Sequence, residues 1–490
     1  MAIIKTETDC GTVTGIRAAN PQHSKFLGIP FAKPPVGALR FAPPQKPDKW
    51  SGELVCDHFA PSCMQRIRED ETEYFMASED CLYLNIYTPA ESENESLPVM
   101  VWIYGGGFNG GHPNHPLLDG EAFNSRGAIL VTFAYRCGPL GFFAHPELDA
   151  RYGSSSNLGL LDQVAALEWV RDNISAFGGD PKRVLLFGQS AGGLSTRMHL
   201  TSPRSKGLFS RAILQSGGGL NEADPVRPKE EMEEICVSLL DYLDWSFEDL
   251  MEKEPMTLIL ELGRAMRESR PGQWAVFQPF VDGVTLTDVP GKLIAEGRYA
   301  DIPIISGSVP GDAQMFIRPI AKQIIDNKDY LRAFSYSPGV AWARHQIKTG
   351  RKPIYSYYFD RTQPEPGSTK FAPLHRAPLP FGNECPHESD IAYVFGTLGV
   401  KESFGTKFEE YDHYLSDVMC DYWVSFAANG VPGVPLLPTW PAYTRETPLV
   451  MHFSDEGIIA EDLISNDQEL RAIEYAELHP GLTETTDGLL

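Results

Sequence analysis

Gly188-Gln189-Ser190-Ala191-Gly192 sets a serine between two glycines, directly after the apolar run Val184–Phe187 and ahead of a segment that reads as helix. A tight strand-to-helix turn of this kind lifts the serine oxygen above the strand's end and needs very small neighbours. The N-terminus of the following helix favours negative charge as it develops nearby. A second glycine run, Gly105-Gly106-Gly107 ahead of Phe108, follows the apolar segment Val99–Tyr104. Glycines there let backbone N–H groups face a cavity without side-chain obstruction. That arrangement can hold the oxyanion of an acyl-transfer intermediate, each donor contributing on the order of 3–4 kcal/mol. Gly105-x-Gly107-x-x-Gly110 also fits the dinucleotide fingerprint, but that fingerprint must open a helix. The chain instead continues Gly111-His112-Pro113-Asn114-His115-Pro116, with two prolines and no helical period. The chemistry favoured is nucleophilic attack by a serine on a carbonyl.

These motifs need elements to hold them. Strands are expected at Val99–Tyr104, Ala128–Ala134, Val184–Phe187, Ala212–Leu214, Ile302–Ser306 and Ile354–Phe359. Leu160, Leu161, Val164, Leu167 and Val170 recur at helical spacing, so a helix is predicted over Gly159–Ala176, stopped by Gly178-Gly179-Asp180-Pro181. Further helices are expected after Ser190, over about 408–428 and over about 469–478. Strands alternate with helices, and several strands are apolar on both faces. That predicts an α/β fold with a largely parallel central sheet flanked by helices. Ile3–Thr6 and Thr12–Ile16, joined by Asp9-Cys10-Gly11, read as an antiparallel hairpin feeding the sheet edge. Pro89–Pro98 reads as an acidic surface insertion. The stretch 221–300 is acidic and helix-rich and is expected to form a helical cap or side subdomain on one catalytic domain spanning 1–490.

Composition bounds the function classes. The chain has 490 residues, 42 % hydrophobic and 22 % charged, and no repeat or low-complexity tract. This excludes disordered, collagen-like and disulfide-framework proteins. A formal net charge of −23 opposes binding to nucleic acid or to anionic lipid surfaces. None of the eight cysteines forms a CxxC pair, which argues against a zinc ribbon or a thioredoxin-like motif. No apolar run approaches the ~18 residues of a membrane span. The N-terminus does not read as a signal peptide, so a cytoplasmic protein with reduced thiols is expected, although a mature secreted form would read similarly.

Several segments in order carry a specific resemblance. They are Phe26-Leu27-Gly28-Ile29-Pro30-Phe31 through Pro35, with Leu39-Arg40-Phe41, and Ser78-Glu79-Asp80-Cys81 through Pro89. Trp102–Phe108, Tyr135-Arg136 through Phe142, and Asn157 through Asp162-Gln163 follow. Phe177–Pro181, the Ser190 turn, Gln215-Ser216-Gly217 and Trp440-Pro441-Ala442-Tyr443 complete the set. Over nearly its whole length the chain resembles the type-B carboxylesterases, the α/β-hydrolase family that includes the cholinesterases. The resemblance implies a serine–acid–histidine triad in that chain order. Ser190 matches the nucleophile, and Gly106, Gly107 and Ala191 match the backbone donors of the oxyanion hole.

The histidine must follow the acid, which leaves His345, His375, His387, His413, His452 and His479. His387 lies in Gly382–Phe395, a loop running into an apolar helix, and resembles the family's catalytic segment. Asp312, just past the strand Ile302–Ser306, matches the acid, where glutamate is commoner. Aspartate is one methylene shorter, so its loop must bring the backbone closer to His387. Ser216 resembles a serine that supports the acid. Phe108, Phe316 and Phe381 are candidate pocket walls, with core packing as the equal alternative. The implied reaction is hydrolysis of uncharged carboxylic esters through an acyl-enzyme on Ser190, with no metal or organic cofactor. The partner is a small-molecule ester, and the sequence is silent on oligomeric state. The competing class is a non-catalytic binding or adhesion member of the same fold, which typically lacks the nucleophile.

The chain departs from the family pattern in three places. Gln189 stands where many relatives carry glutamate. Arg68–Ala77 holds no tryptophan to bind a quaternary ammonium by cation–π contact. Both predict poor selectivity for acylcholines over uncharged esters. Only 75 residues separate Asp312 from His387, which implies a reduced flap and a wider entrance. Cys63 and Cys81 match a disulfide of secreted members and are expected as thiols in a reducing compartment.

Overall fold

Val99–Ile103 and Ile129–Phe133 are buried at every position. Apolar runs of that kind suit strands covered on both faces. They lie near the middle of an eleven-stranded sheet in the computed structural model, which describes residues 1–153, 156–221, 226–271, 276–312, 328–368, 385–464 and 467–481. Its strands are β1 (Ile16–Arg17), β2 (Ser24–Pro30), β3 (Tyr83–Thr88), β4 (Leu97–Ile103), β5 (Ile129–Phe133), β6 (Gly179–Gln189), β7 (Arg211–Gln215), β8 (Ile304–Ser308), β9 (Ile354–Phe359), β10 (Val450–Ser454) and β11 (Gly457–Glu461). Their spatial order is β11-β10-β9-β8-β7-β6-β4-β5-β3-β2-β1. All pairings from β5 across to β10 are parallel, and antiparallel strands close both edges.

Strand order reverses at one place. The chain leaves β4 toward β5, then returns to the other side of β4 as β6 and moves away through β7. The loops after β4 and β6 therefore diverge and leave a crevice at their carboxyl ends, where open α/β sheets bind ligands. The Gly105–Gly107 turn follows β4, and Ser190 follows β6.

The helix expected over Gly159–Ala176 is α1 (Leu158–Asn173), with Ile174–Phe177 wound more tightly as a 3₁₀ turn. Gly179-Asp180-Pro181 already belongs to β6 rather than to the loop ahead of it. The segment after Ser190 forms α2 (Ala191–Thr201), almost wholly buried. The N-terminal hairpin forms, with Lys5–Thr8 against Gly11–Thr14, but it does not join the main sheet. It pairs instead with Glu53–Val55 in a separate three-stranded sheet, a partner about forty residues away that no local pattern announces.

Helices α3 (Lys229–Leu243) and α4 (Pro255–Ser269) lie in the acidic stretch and share a second apolar core with Phe108, Leu140 and Phe142. Polar ties hold this layer in place. The Arg40 guanidinium grips Glu79 at 2.6 and 3.0 Å and donates to the carbonyls of Leu250, Met251 and Lys253. Asn157 accepts from the Phe280 N–H at 3.0 Å and donates to its carbonyl at 2.8 Å. Arg136 is buried against Asp162 at 2.7 and 2.8 Å. Fully hydrogen-bonded pairs of this kind satisfy charges that would be costly to bury alone. Among the described residues, no helix is long and apolar enough to cross a membrane.

Candidate active site

Ser190 adopts φ 58° and ψ −125°, a backbone region that side-chain-bearing residues rarely occupy. Glycines enclose it for a steric reason. A Cβ at Gly188 would lie 2.5 Å from the Gly192 carbonyl carbon, and one at Gly192 would lie 1.9 Å from the Ile103 oxygen. The turn thus packs backbone on backbone between β4 and β6. The Ser190 N–H donates to the Gln215 carbonyl at 2.9 Å, which anchors the turn to β7. The side chain lies at the N-terminus of α2.

The glycine turn after β4 lies against the serine. A Cβ at Gly105 would come within 3.0 Å of the Ser190 Cβ. Gly106 (φ 113°) and Gly107 (φ 60°) take left-handed backbone that favours glycine. Among the described residues, no acceptor takes the N–H of Gly106, Gly107 or Ala191. Gln65 braces the far end of this turn, donating to the Gly111 carbonyl and accepting from its N–H, both at 2.8 Å. A cavity of roughly 340 Å³ opens beside Gly105 and Gly106, lined also by Gln65, Trp102, Gln189 and Glu388. Drug-sized and smaller molecules occupy volumes of this order.

His387 and Asp312 meet across 75 residues, with Nδ1 2.5 Å from Oδ1. Both are buried. Asp312 Oδ2 accepts from the Val309 N–H at 3.1 Å. Gly311 supplies the close approach that the shorter acid demands. Its N–H donates to the Cys385 carbonyl at 2.9 Å, and a Cβ there would lie 2.1 Å from the His387 backbone nitrogen. Burial is the largest single influence on His387 and pulls its pKa down. The hydrogen bond and charge of Asp312, helped by Glu388 and Asp390, outweigh it and raise the pKa above 6.5.

The other ring nitrogen does not meet the serine. His387 Nε2 stands 3.0 Å from Gln189 Nε2, and no Ser190–His387 hydrogen bond forms among the described residues. Ser216 (φ 52°) lines a small cavity with Asp312. Its expected bond to the acid is absent among the described residues, and its buried Oγ has no partner there. Its N–H ties β7 to β8 through the Gly307 carbonyl at 2.8 Å. Phe108, open equally to a pocket or a core role, lies with the core. It is buried edge-on to Phe142 at 5.5 Å, within the second core, and does not line the 340 Å³ cavity. Phe316 and Phe381 lie outside the described residues.

Sequence reasoning assigned no role to Asp390, three residues past His387. It is fully buried and accepts from the Tyr357 hydroxyl at 2.7 Å and the Gln215 amide at 2.9 Å. Burial pushes its pKa up to about 6, against the opposing hydrogen bonds. It ties the His387 segment to the residue whose carbonyl holds Ser190. The only local signal was a carboxylate facing the apolar run Ile391–Phe395. Cys63 and Cys81 are joined as a disulfide with Cα atoms 4.9 Å apart, and the other six cysteines are buried thiols.

Known proteins share both sequence and architecture with this chain. The model of the carboxylesterase family matches residues 2–337 and 328–471. Fumonisin B1 esterase of Sphingopyxis macrogoltabida is 36 % identical over 480 residues, covering 92 % of this chain and 86 % of that protein. Para-nitrobenzyl esterase of Bacillus subtilis (strain 168) is 33 % identical, covering 93 % and 96 %. A solved carboxylesterase of Geobacillus stearothermophilus superposes with a TM-score of 0.76 at 31 % identity, over 96 % of this chain and all of that one. The fold is that of the α/β-hydrolases, and the chain belongs to the carboxylesterase family, as a carboxylic-ester hydrolase that shares its serine acyl-enzyme chemistry.

Proposed function

We propose that Ser190 is the nucleophile, His387 the general base and acid, and Asp312 the carboxylate that orients the imidazole. The contact that carries this reading is His387 Nδ1 on Asp312 Oδ1 at 2.5 Å, beside the strained serine turn. His387 takes the Ser190 proton as Oγ attacks the ester carbonyl. The N–H groups of Gly106, Gly107 and Ala191 receive the oxyanion; their lack of acceptors supports this role. His387 then protonates the leaving alcohol, and the same imidazole activates the water that releases the acid. Nε2 must turn from Gln189 to Ser190 Oγ for the first step. Such tightening on substrate binding is common, because catalytic hydrogen bonds are often long or misaligned in free enzymes.

The substrates are small uncharged carboxylic esters, taken in the cavity beside Gly105 and Gly106. Gln189 brings no negative charge to the site, and no tryptophan occurs in Arg68–Ala77, so acylcholines gain no advantage over uncharged esters of equal acyl length. Rapid mixing with a chromogenic para-nitrophenyl ester tests the mechanism. A burst of one phenolate per chain, absent in Ser190→Ala, is expected. Steady hydrolysis that survives Ser190→Ala would overturn the assignment. The cytoplasm remains the proposed location on sequence grounds, with the Cys63–Cys81 bond as the observation to set against it.

A further inference from the structure

We infer that Gln189 is a positioning residue that holds the resting His387 imidazole neutral and so sets the lower pH limit of the reaction. The inference rests on His387 being the base. A carboxylate only accepts hydrogen bonds when ionised, so Asp312 Oδ1 fixes the proton of His387 on Nδ1. Nε2 of the neutral ring is then an acceptor, and the atom facing it at 3.0 Å is the Gln189 amide nitrogen, a donor. A hydrogen bond donated to the neutral form favours that form. Gln189 is fully buried, so water does not compete for this contact. Its other amide atom, Oε1, is buried with no partner among the described residues. The amide thus leaves its own oxygen unsatisfied and gives its donor to the imidazole.

The surroundings make the contact matter. Asp312 from the loop after β8, and Glu388 and Asp390 from the histidine's own segment, all raise its proton affinity. Tyr357 on β9 and Cys385 stay neutral, because burial pushes both well above their ordinary values. β7 and the residue after it offer uncharged Gln215 and Ser216, and Gly105–Gly107 after β4 add no charge. Gln189 meets Nε2 and acts against the three carboxyl groups. A carboxylate at 189 would instead accept from the imidazolium Nε2–H and add to them. Ser190 is the next residue, so Nε2 leaves the amide for Oγ once substrate arrives.

Two readouts test this on the full-length protein. The first is ¹⁵N NMR titration of the His387 ring; the second is the pH profile of inactivation by a fluorophosphonate. Wild type is expected to show the Nδ1–H tautomer. Gln189→Glu is expected to raise the ring midpoint and the acid limb of inactivation together, by about one pH unit or more. An unmoved midpoint would overturn the inference, as would a lost high-pH rate without a shift, which marks a merely structural role. Should Gln189→Glu fail to fold, the wild-type tautomer decides: Nε2–H would mean that the amide oxygen faces the ring, and the inference fails. Wild type that titrates as expected but resists the fluorophosphonate would instead sink the catalytic assignment and leave the Gln189 contact standing.

Discussion

His387 and His452 each sit against carboxylates at similar distances, and of the two only His387 lies beside the proposed nucleophile. His387 Nδ1 meets Asp312 at 2.5 Å. His452 on β10 meets Asp360 at 2.8 Å through Nε2 and Glu461 at 2.6 Å through Nδ1. Both rings are raised above 6.5, with burial pulling down and the carboxylates pushing up more strongly. The difference lies in the second nitrogen. His452 has a carboxylate at each nitrogen, so its protonated ring donates on both sides and offers no lone pair. His387 has one anion, and its other nitrogen faces an amide beside a serine. A base needs a ring nitrogen that no anion occupies; an ion pair is stronger with both occupied. The His452 cluster links the middle of β10 to the residue after β9 and the last residue of β11, whereas His387 joins Asp312 after β8 to Gln189 at the end of β6.

The contrast can be broken most sharply by truncation. His387→Ala is expected to lower kcat by roughly a million-fold, whereas His452→Ala leaves it within about twofold, as a group that touches no reacting atom should. Comparable losses would erase the distinction. Asp312→Asn keeps the shape but favours the wrong tautomer, so kcat should fall by about 10⁴. Gly311→Ala probes the same pair through the backbone. Its Cβ would meet the His387 backbone nitrogen at 2.1 Å, and a displacement of about 1 Å should cost on the order of a hundredfold in kcat/KM. Full activity in that variant would show that the short acid does not depend on the close approach.

Two smaller effects sharpen the comparison. The free-enzyme acid limb of kcat/KM should lie above 6.5, because His387 is raised and must be neutral to act. His452 should appear in stability instead. Its raised pKa stabilises the fold fully below its unfolded value near 6.5, and that contribution fades as pH rises through the folded value. His452→Gln is therefore expected to lower stability at pH 6 by about 0.5–1 kcal/mol, discounted for the partly exposed carboxylates, and by less at pH 9. Denaturant melts at the two pH values check this. Alkylation of the denatured, unreduced chain should modify six of its eight cysteines, leaving Cys63 and Cys81 protected.

What was legible in the residues was local. The glycines around Ser190 follow from steric demands within five residues, and the runs Val99–Ile103 and Ile129–Phe133 announce strands covered on both faces. Contacts between distant segments were legible only where the family resemblance named them, as for Asp312 and His387. Nothing near Gln189 indicates that its amide meets a ring 198 residues on. Gly311 reads as a turn glycine, and its role appears only when Cys385–His387 packs against it. Asp390 reads as a charge beside an apolar helix, yet it is buried between β7 and β9. The hairpin at residues 5–14 was readable, but its sheet partner at 53–55 was not, because strand pairing depends on the path of the chain. The β10–β11 hairpin at the far edge escaped for a related reason: its strands are short, and β11 is only partly buried. For Phe108 the residues left pocket and core equally open, because an aromatic beside a glycine turn serves a core as readily as a cavity.

The central claim is that Ser190 is an activated nucleophile served by His387. Intact-protein mass after treatment with a fluorophosphonate, followed by peptide mapping, tests it most directly. One adduct per chain is expected, on Ser190, absent in Ser190→Ala, greatly slowed in His387→Ala and unchanged in His452→Ala. No adduct on folded wild-type protein, or an adduct on another residue, would contradict it.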